Sequence, residues 1–197
     1  MKIITTPIKD LFVLERTVVR DKRGFFSRLY GEKELIEAGR PTEVIHLNSS
    51  TSISPGTLRG IHFQYPPYAE TKIVSCVSGA IWDVGVDLRP NSNTRFQWFG
   101  LELNPQNGLS LIIPEGFGHA FITLEPNTTV VYVLSAEYSI EHESGLKFDD
   151  PKLGIKWPIR PNVISEKDLS WDYIDNNLPE FGLKFAKNPI DSRSQNE

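Results

Sequence analysis

The sequence predicts an all-β chain folded as a sandwich or barrel. Three observations carry this: apolar residues alternate in short runs, turn chemistry separates those runs at regular intervals, and helix signals are few. A length of 197 residues suits one domain and leaves little room for a second complete core. The 14 glycines and 14 prolines, set against 39% hydrophobic residues, fit a folded chain with many turns and do not fit disorder.

The runs begin with Phe12-Val13-Leu14 and Val18-Val19. They resume at Lys72 to Val77, Ala80 to Leu88 and Phe96 to Leu103, and finish with Leu109 to Ile113 and Thr128 to Leu134. Each has the length of a single strand. Between them stand Ser54-Pro55-Gly56, Pro66-Pro67, Ser78-Gly79, Arg89-Pro90-Asn91, Gln106-Asn107-Gly108, Pro114-Glu115-Gly116 and Glu125-Pro126-Asn127, residues that preset turn dihedrals or tolerate positive φ. Two short peripheral helices are expected. One covers Glu32 to Ala38 and stops at Gly39; the other starts after Ser165, which caps it and puts Asp168 in its first turn. The domain is expected over residues 1–184, with a frayed polar tail at 185–197 ending Ser194-Gln195-Asn196-Glu197.

Charge narrows the function classes. With 21 basic and 25 acidic side chains the formal net charge is −4, so no global positive field gathers nucleic acid or an anionic membrane, and any phosphate must be held locally. Asp83, Asp87 and Glu115 break the apolar stretches well short of the ~18 residues a bilayer span needs. Pro7, Lys9 and Asp10 interrupt the N-terminal region where a signal peptide needs an apolar run, so a cytoplasmic address is expected. The single cysteine, Cys76, lies in an apolar run and reads as core.

Two stretches share a plan. The first places His62 and Gln64 between Gly56 and Glu70 and ends at Gly79; the second runs Gly108, Pro114, Gly116, His119. Together they resemble the paired motifs of the cupin superfamily, which implies a double-stranded β-helix, or jelly roll, whose two motif strands face each other across one end of the barrel. Metal-binding cupins carry a second histidine where this chain has Gln64, and an amide is a poorer ligand than imidazole for a divalent transition metal. His62, Glu70 and His119 remain a chemically possible three-ligand set, but no metal is expected.

A closer resemblance lies in Asp21-Lys22-Arg23-Gly24-Phe25-Phe26, Asn48-Ser49-Ser50, the run from Gly56 through Arg59 and His62 to Gln64, and Pro66-Pro67 with Glu70 and Lys72. It continues through Val86-Asp87-Leu88-Arg89, Ile113 to Phe121, Tyr132, Tyr138, Asp149-Asp150-Pro151, Ile155-Lys156-Trp157-Pro158 and Ile164-Ser165-Glu166-Lys167-Asp168. In that order, from about Lys9 to Trp171, the chain resembles the dTDP-4-dehydrorhamnose 3,5-epimerase family. Such a protein inverts carbons beside the ketone of a nucleotide-linked 4-keto-6-deoxyhexose by acid–base chemistry, with no redox cofactor, in deoxysugar synthesis for surface polysaccharide or a glycosylated product.

The resemblance assigns roles. His62 is the base, since a free imidazole with pKa ~6.5 is largely neutral at pH 7 yet accepts a proton. Asp168 orients it, although the same residue reads equally as an ordinary first-turn aspartate. Lys72, with His119 as a second donor, faces the enolate oxygen; the residue alone also reads as an edge-strand lysine that guards against aggregation. Tyr132 returns the proton from the other side, a phenol of pKa ~10 keeping its proton at pH 7; alone it reads as a core aromatic.

For the nucleotide, Arg23 and Arg59 match the cations on the diphosphate, Asn48, Gln64 and Lys167 supply polar contacts, Glu143 faces a sugar hydroxyl, Tyr138 stacks on the base and Phe26 joins the pocket. Arg23 alone is equally a turn arginine before Gly24. Strand alternation sets Arg59, three residues from His62, on the opposite face, unless Gly60 allows a bulge. Arg28, His46-Leu47 and Ala120 depart from the family pattern. The resemblance further implies a homodimer that exchanges N-terminal strands and brings Arg23 or Phe26 to a partner's pocket. A metal-dependent oxygenase or isomerase and a non-catalytic sugar-binding module are the rival readings.

Overall fold

A computed structural model describes residues 1–174. The expected tail at 185–197 and the expected domain limit at 184 lie outside the described residues. The chain lays down β1 (Lys2–Thr5), β2 (Phe12–Glu15), β3 (Val18–Asp21), β4 (Gly24–Ser27), α1 (Glu32–Glu37), β5 (His46–Ser52), β6 (Leu58–Gln64) and β7 (Lys72–Ser78). It continues with β8 (Ile81–Asp87), β9 (Trp98–Leu103), β10 (Leu109–Ile113), β11 (Phe117–Thr123), β12 (Thr128–Leu134), β13 (Glu143–Gly145) and α2 (Glu166–Leu169).

Two antiparallel sheets result, one ordered β1-β2-β10-β7-β12-β5 and the other β13-β6-β11-β8-β9, with β3 and β4 forming a separate hairpin. Consecutive strands repeatedly fall in different sheets, which is the jelly-roll arrangement. Alternation along each strand then sends one set of side chains between the sheets. That interior holds Leu11, Val74, Cys76, Ile81, Leu103, Leu111 and Val130, all at 1% exposure or less. Cys76 is core as expected, and burial pushes its thiol up to about 11.

Each sheet also has an apolar outer face. Val84, Val86, Ile61 and Phe63 are covered by Leu146, Leu153 and Ile174 from the chain that follows β13. Leu14, Ile73, Ile112 and Val133 are covered by Leu35 of α1, with Tyr30 packed against them. The strands are apolar on both faces for this reason. No described helix is long and apolar enough to cross a membrane.

Strands β5, β6 and β11 lie outside the alternating runs, because polar residues and glycines interrupt them: His-Leu-Asn-Ser-Ser-Thr-Ser in β5, Arg59-Gly60 and His62 in β6, Gly118-His119 in β11. The two motif strands are not opposite each other across the barrel as the cupin resemblance implies. β6 and β11 are hydrogen-bonded neighbours, with His62 and His119 as direct register partners.

Candidate active site

A cavity of about 480 Å³ opens between the two sheets. Strand β6 gives it Arg59 and His62, β11 gives His119 and Phe121, β7 gives Lys72, β12 gives Tyr132 and β5 gives Ser50. The segment before and through α2 closes one side with Ile164, Ser165, Lys167 and Asp168.

Arg59 and His62 share this cavity although three residues separate them. On β11 their partners are Phe121 and His119, only two apart, so β6 carries one extra residue, a bulge at Gly60. Gly60 adopts φ +120, where a side chain is strained, and a Cβ there would lie 2.5 Å from Ala120 Cβ and from the His119 carbonyl oxygen. The bulge turns Arg59 to the same face as His62, and its Nε donates to Ser52 Oγ at 3.4 Å. Ala120, a departure from the family pattern, is accommodated against the bare backbone of Gly60.

Asp168 comes from the far end of the described chain. Ser165 caps α2 by accepting from the Asp168 N–H at 3.0 Å, so Asp168 sits in a capped first turn while its side chain turns back into the barrel. Its Oδ1 is 2.6 Å from His62 Nε2, and its Oδ2 accepts from the Gly60 N–H at 3.2 Å. Burial opposes the Asp168 charge, but these bonds and the imidazole outweigh it and hold the carboxyl below the ordinary aspartate range. With Nε2 committed, Nδ1 is the ring nitrogen left for the cavity. Trp171 stands edge-on to the imidazole, ring centroids 6.5 Å apart, over Gly145, where any Cβ would strike the indole.

Lys72 and Tyr132 reach the cavity from the other sheet. Tyr132 pairs with Val74, two residues from Lys72, so both project to the inner face. Lys72 Nζ lies 3.0 Å from Glu70 Oε1, with both side chains largely buried. His119 also has a carboxylate, which sequence reasoning missed: its Nε2 is 2.7 Å from Oδ1 of Asp83. The signal available in the sequence was an acidic residue inside an apolar strand.

At the mouth, Glu143 accepts from Lys167 Nζ at 2.6 Å and from the Tyr138 hydroxyl at 2.7 Å. Burial raises the Glu143 carboxyl, yet its bonds to Lys167 and Tyr138 more than offset that and lower it. Tyr138 is exposed, with a face free to stack.

Gln64, Arg23 and Phe26 do not line this cavity. Gln64 is buried: its Nε2 faces Tyr68 O, Glu70 Oε2 and Glu137 O, and its Oε1 accepts from the Ser139 N–H. It is a strut that ties the loop before β13 to β6, with both amide N–H donors engaged within the protein. Asn48 is the register partner of Tyr132, on the same face of β5 as Ser50, which lines the cavity. Arg23 and Phe26 stand on the β3–β4 hairpin, exposed and away from the chain's own cavity, with Arg23 paired to Asp21 at 2.6 Å. His62, Glu70 and His119 do not converge as a ligand set: Asp168, Lys72 and Asp83 each take one of them, and among the described residues no group of three ligating side chains is placed to hold a metal.

Comparison with known proteins places this geometry. The family model described as dTDP-4-dehydrorhamnose 3,5-epimerase matches residues 5–176. The chain is similar to a protein of that name from Sinorhizobium fredii, 44% identical over 76% of this chain and 77% of the relative. Another from Shigella flexneri is 40% identical over 86% of this chain and 94% of the relative. The crystal structure of a dTDP-4-dehydrorhamnose 3,5-epimerase from Bacillus anthracis, with TDP and pyrophosphate bound, superposes with a TM-score of 0.84 at 40% identity, covering 88% of this chain and 99% of that one. The motifs, the jelly roll and these matches agree from end to end of the described barrel, and the chain belongs to the dTDP-4-dehydrorhamnose 3,5-epimerase family.

Proposed function

We propose that the chain inverts C3 and C5 of dTDP-4-dehydro-6-deoxy-D-glucose to give dTDP-4-dehydro-L-rhamnose. The observation that carries this reading is that His62 and Tyr132 line one cavity from different sheets. Inversion beside a ketone removes a proton from one face of the ring and returns one to the other, so base and acid must approach from opposite sides. His62 Nδ1 takes the proton while Asp168 stabilises the imidazolium on the far side of the ring. The electrons pass to the carbonyl oxygen, where Lys72 Nζ stabilises the developing enolate. Tyr132 then donates its phenolic proton to carbon from the opposite face; His62 releases the proton it took to solvent and the Tyr132 phenolate takes one back, which resets both groups for the second carbon. The sequence of steps moves protons only and balances without a redox partner.

Arg59 supplies cationic contact for the diphosphate, and Lys167, Glu143 and Tyr138 form the rim against which the nucleoside lies. The TDP held by the Bacillus anthracis relative supports a thymidine nucleotide. Arg23 and Phe26 serve the pocket of a second copy in a homodimer that exchanges N-terminal segments; their exposure on a projecting hairpin, with Val19 and Phe25 also exposed beside them, supports that arrangement. A charged nucleotide sugar does not cross a bilayer unaided, which supports a cytoplasmic address.

Incubation with dTDP-4-keto-6-deoxyglucose in deuterated water tests the activity. Deuterium at both C3 and C5, read by NMR, is expected; label at one carbon narrows the chain to a single epimerisation, and no label refutes the reading.

A further inference from the structure

Asp83 sits in the middle of β8, between Trp82 and Val84, with 0% of its surface exposed. A carboxylate in such a place is costly unless something pairs with it. His119 Nε2, at 2.7 Å from Oδ1, is its one hydrogen-bond partner among the described residues, and Oδ2 is buried with none. The register explains the meeting. β11 runs antiparallel to β8 with Phe121 opposite Asp83 and His119 opposite Gly85, so His119 and Asp83 are diagonal neighbours on one face of the sheet.

This pair duplicates the His62–Asp168 pair across one step of the same sheet. His62 and His119 are direct register partners, both line the cavity, and each commits Nε2 to a buried carboxylate. The two carboxylates differ in their surroundings. Asp168 is also bonded to the Gly60 N–H, whereas Asp83 leans on its imidazole alone. An otherwise unneutralised carboxylate behind the ring keeps a proton on Nε2 and lets the ring carry positive charge when negative charge forms on its other side.

We propose that Asp83 is a positioning residue for the epimerisation, acting through His119: it holds the ring as an imidazolium by accepting from Nε2–H and turns the Nδ1–H edge to the cavity as a hydrogen-bond donor to the substrate oxygen that gains charge. The proposal rests on the epimerase reading of the cavity, and its test separates the two.

A double-mutant cycle with Asp83→Asn, His119→Gln and the combination measures the coupling. Asp83→Asn is expected to lower kcat about tenfold or more with KM changed less than about threefold. In the His119→Gln background the same change is expected to alter kcat by less than about twofold, because its route of action is already gone. Equal losses in both backgrounds overturn the proposal, since they assign Asp83 a merely structural role. Nitrogen-15 NMR of the histidine-labelled wild-type protein gives an activity-independent readout that also serves if Asp83→Asn does not fold. Protons on both Nε2 and Nδ1 of His119 are expected; a ring lacking either proton overturns the proposal. Wild-type protein that exchanges no deuterium with the nucleotide sugar refutes the epimerase reading instead, and leaves the NMR result to be read by itself.

Discussion

Asp168 and His62 are 106 residues apart in the chain and 2.6 Å apart in space. A four-residue helix and its serine cap make that contact possible, and the same carboxylate also holds the backbone at Gly60, the bulge that aims Arg59. One side chain therefore holds the His62 imidazole and fastens the strand that carries it.

In the proposed mechanism the cap is coupled to catalysis. Ser165→Ala removes the hydroxyl that accepts from the Asp168 N–H and is expected to cost about 1 kcal/mol of stability. Asp168→Asn keeps the shape but removes the charge that stabilises the imidazolium, and is expected to lower kcat by about 10²-fold or more. Thermal unfolding and steady-state rates on both variants check this. Full activity in Asp168→Asn would contradict the pairing.

Gly60→Ala tests the bulge. The new methyl meets Ala120 Cβ and the His119 carbonyl at a backbone φ of +120, so both sterics and dihedral oppose it. A loss of roughly 2 kcal/mol or more in denaturant midpoint experiments is expected, in line with overpacking at a strained site. The companion variant Gly60→Ala/Ala120→Gly relieves the Cβ contact only, so it recovers part of the loss and not all of it.

Tyr132→Phe separates removal of the proton from its return. The base is intact, so deuterium exchange beside the ketone is expected to continue, while net conversion to the inverted sugar falls by about 10²-fold or more. Equal loss of both would place Tyr132 in substrate binding, and unchanged conversion would remove it as the acid.

Acid sensitivity follows from the carboxylates held low. At Asp87 burial raises the pKa, but hydrogen bonds from Arg89, Ser92 and Thr94 outweigh it, so the folded value lies below the unfolded one, as at Asp168. Groups depressed in this way contribute stability that is complete above the unfolded value of ~3.9 and is lost as pH falls through the folded value. Tm is expected to be nearly flat between pH 5 and 7 with respect to these groups and to drop below about pH 4. Asp87→Asn is expected to be less stable at pH 7 and to show a shallower acid drop; an unchanged slope would remove Asp87 from the account.

The scaffold is more legible in the sequence than the site. Runs such as Lys72 to Val77, Leu109 to Ile113 and Thr128 to Leu134 are largely apolar because both their faces are buried or half-buried, and they match β7, β10 and β12 closely. The strands that carry the chemistry spoil their own pattern. β6 spends Arg59, Gly60 and His62 on the cavity, β11 spends Gly118 and His119, and β5 is nearly all polar. The role of Gln64 was misread because a polar residue beside the base resembles a ligand contact until its four protein partners are seen. Asp83 was visible as a charge in an apolar strand, but its partner lies on β11, 36 residues away, and only the pairing of β8 with β11 brings the two together.

The central claim is that a ring nitrogen of His62 takes the proton from carbon. Its most direct test compares deuterium exchange into the nucleotide sugar by wild-type and His62→Ala proteins, with dTDP affinity measured alongside. The account predicts exchange reduced by about 10²-fold or more in the variant, with dTDP affinity unchanged within a few-fold. Exchange at the wild-type rate by a His62→Ala protein that binds dTDP normally would contradict it.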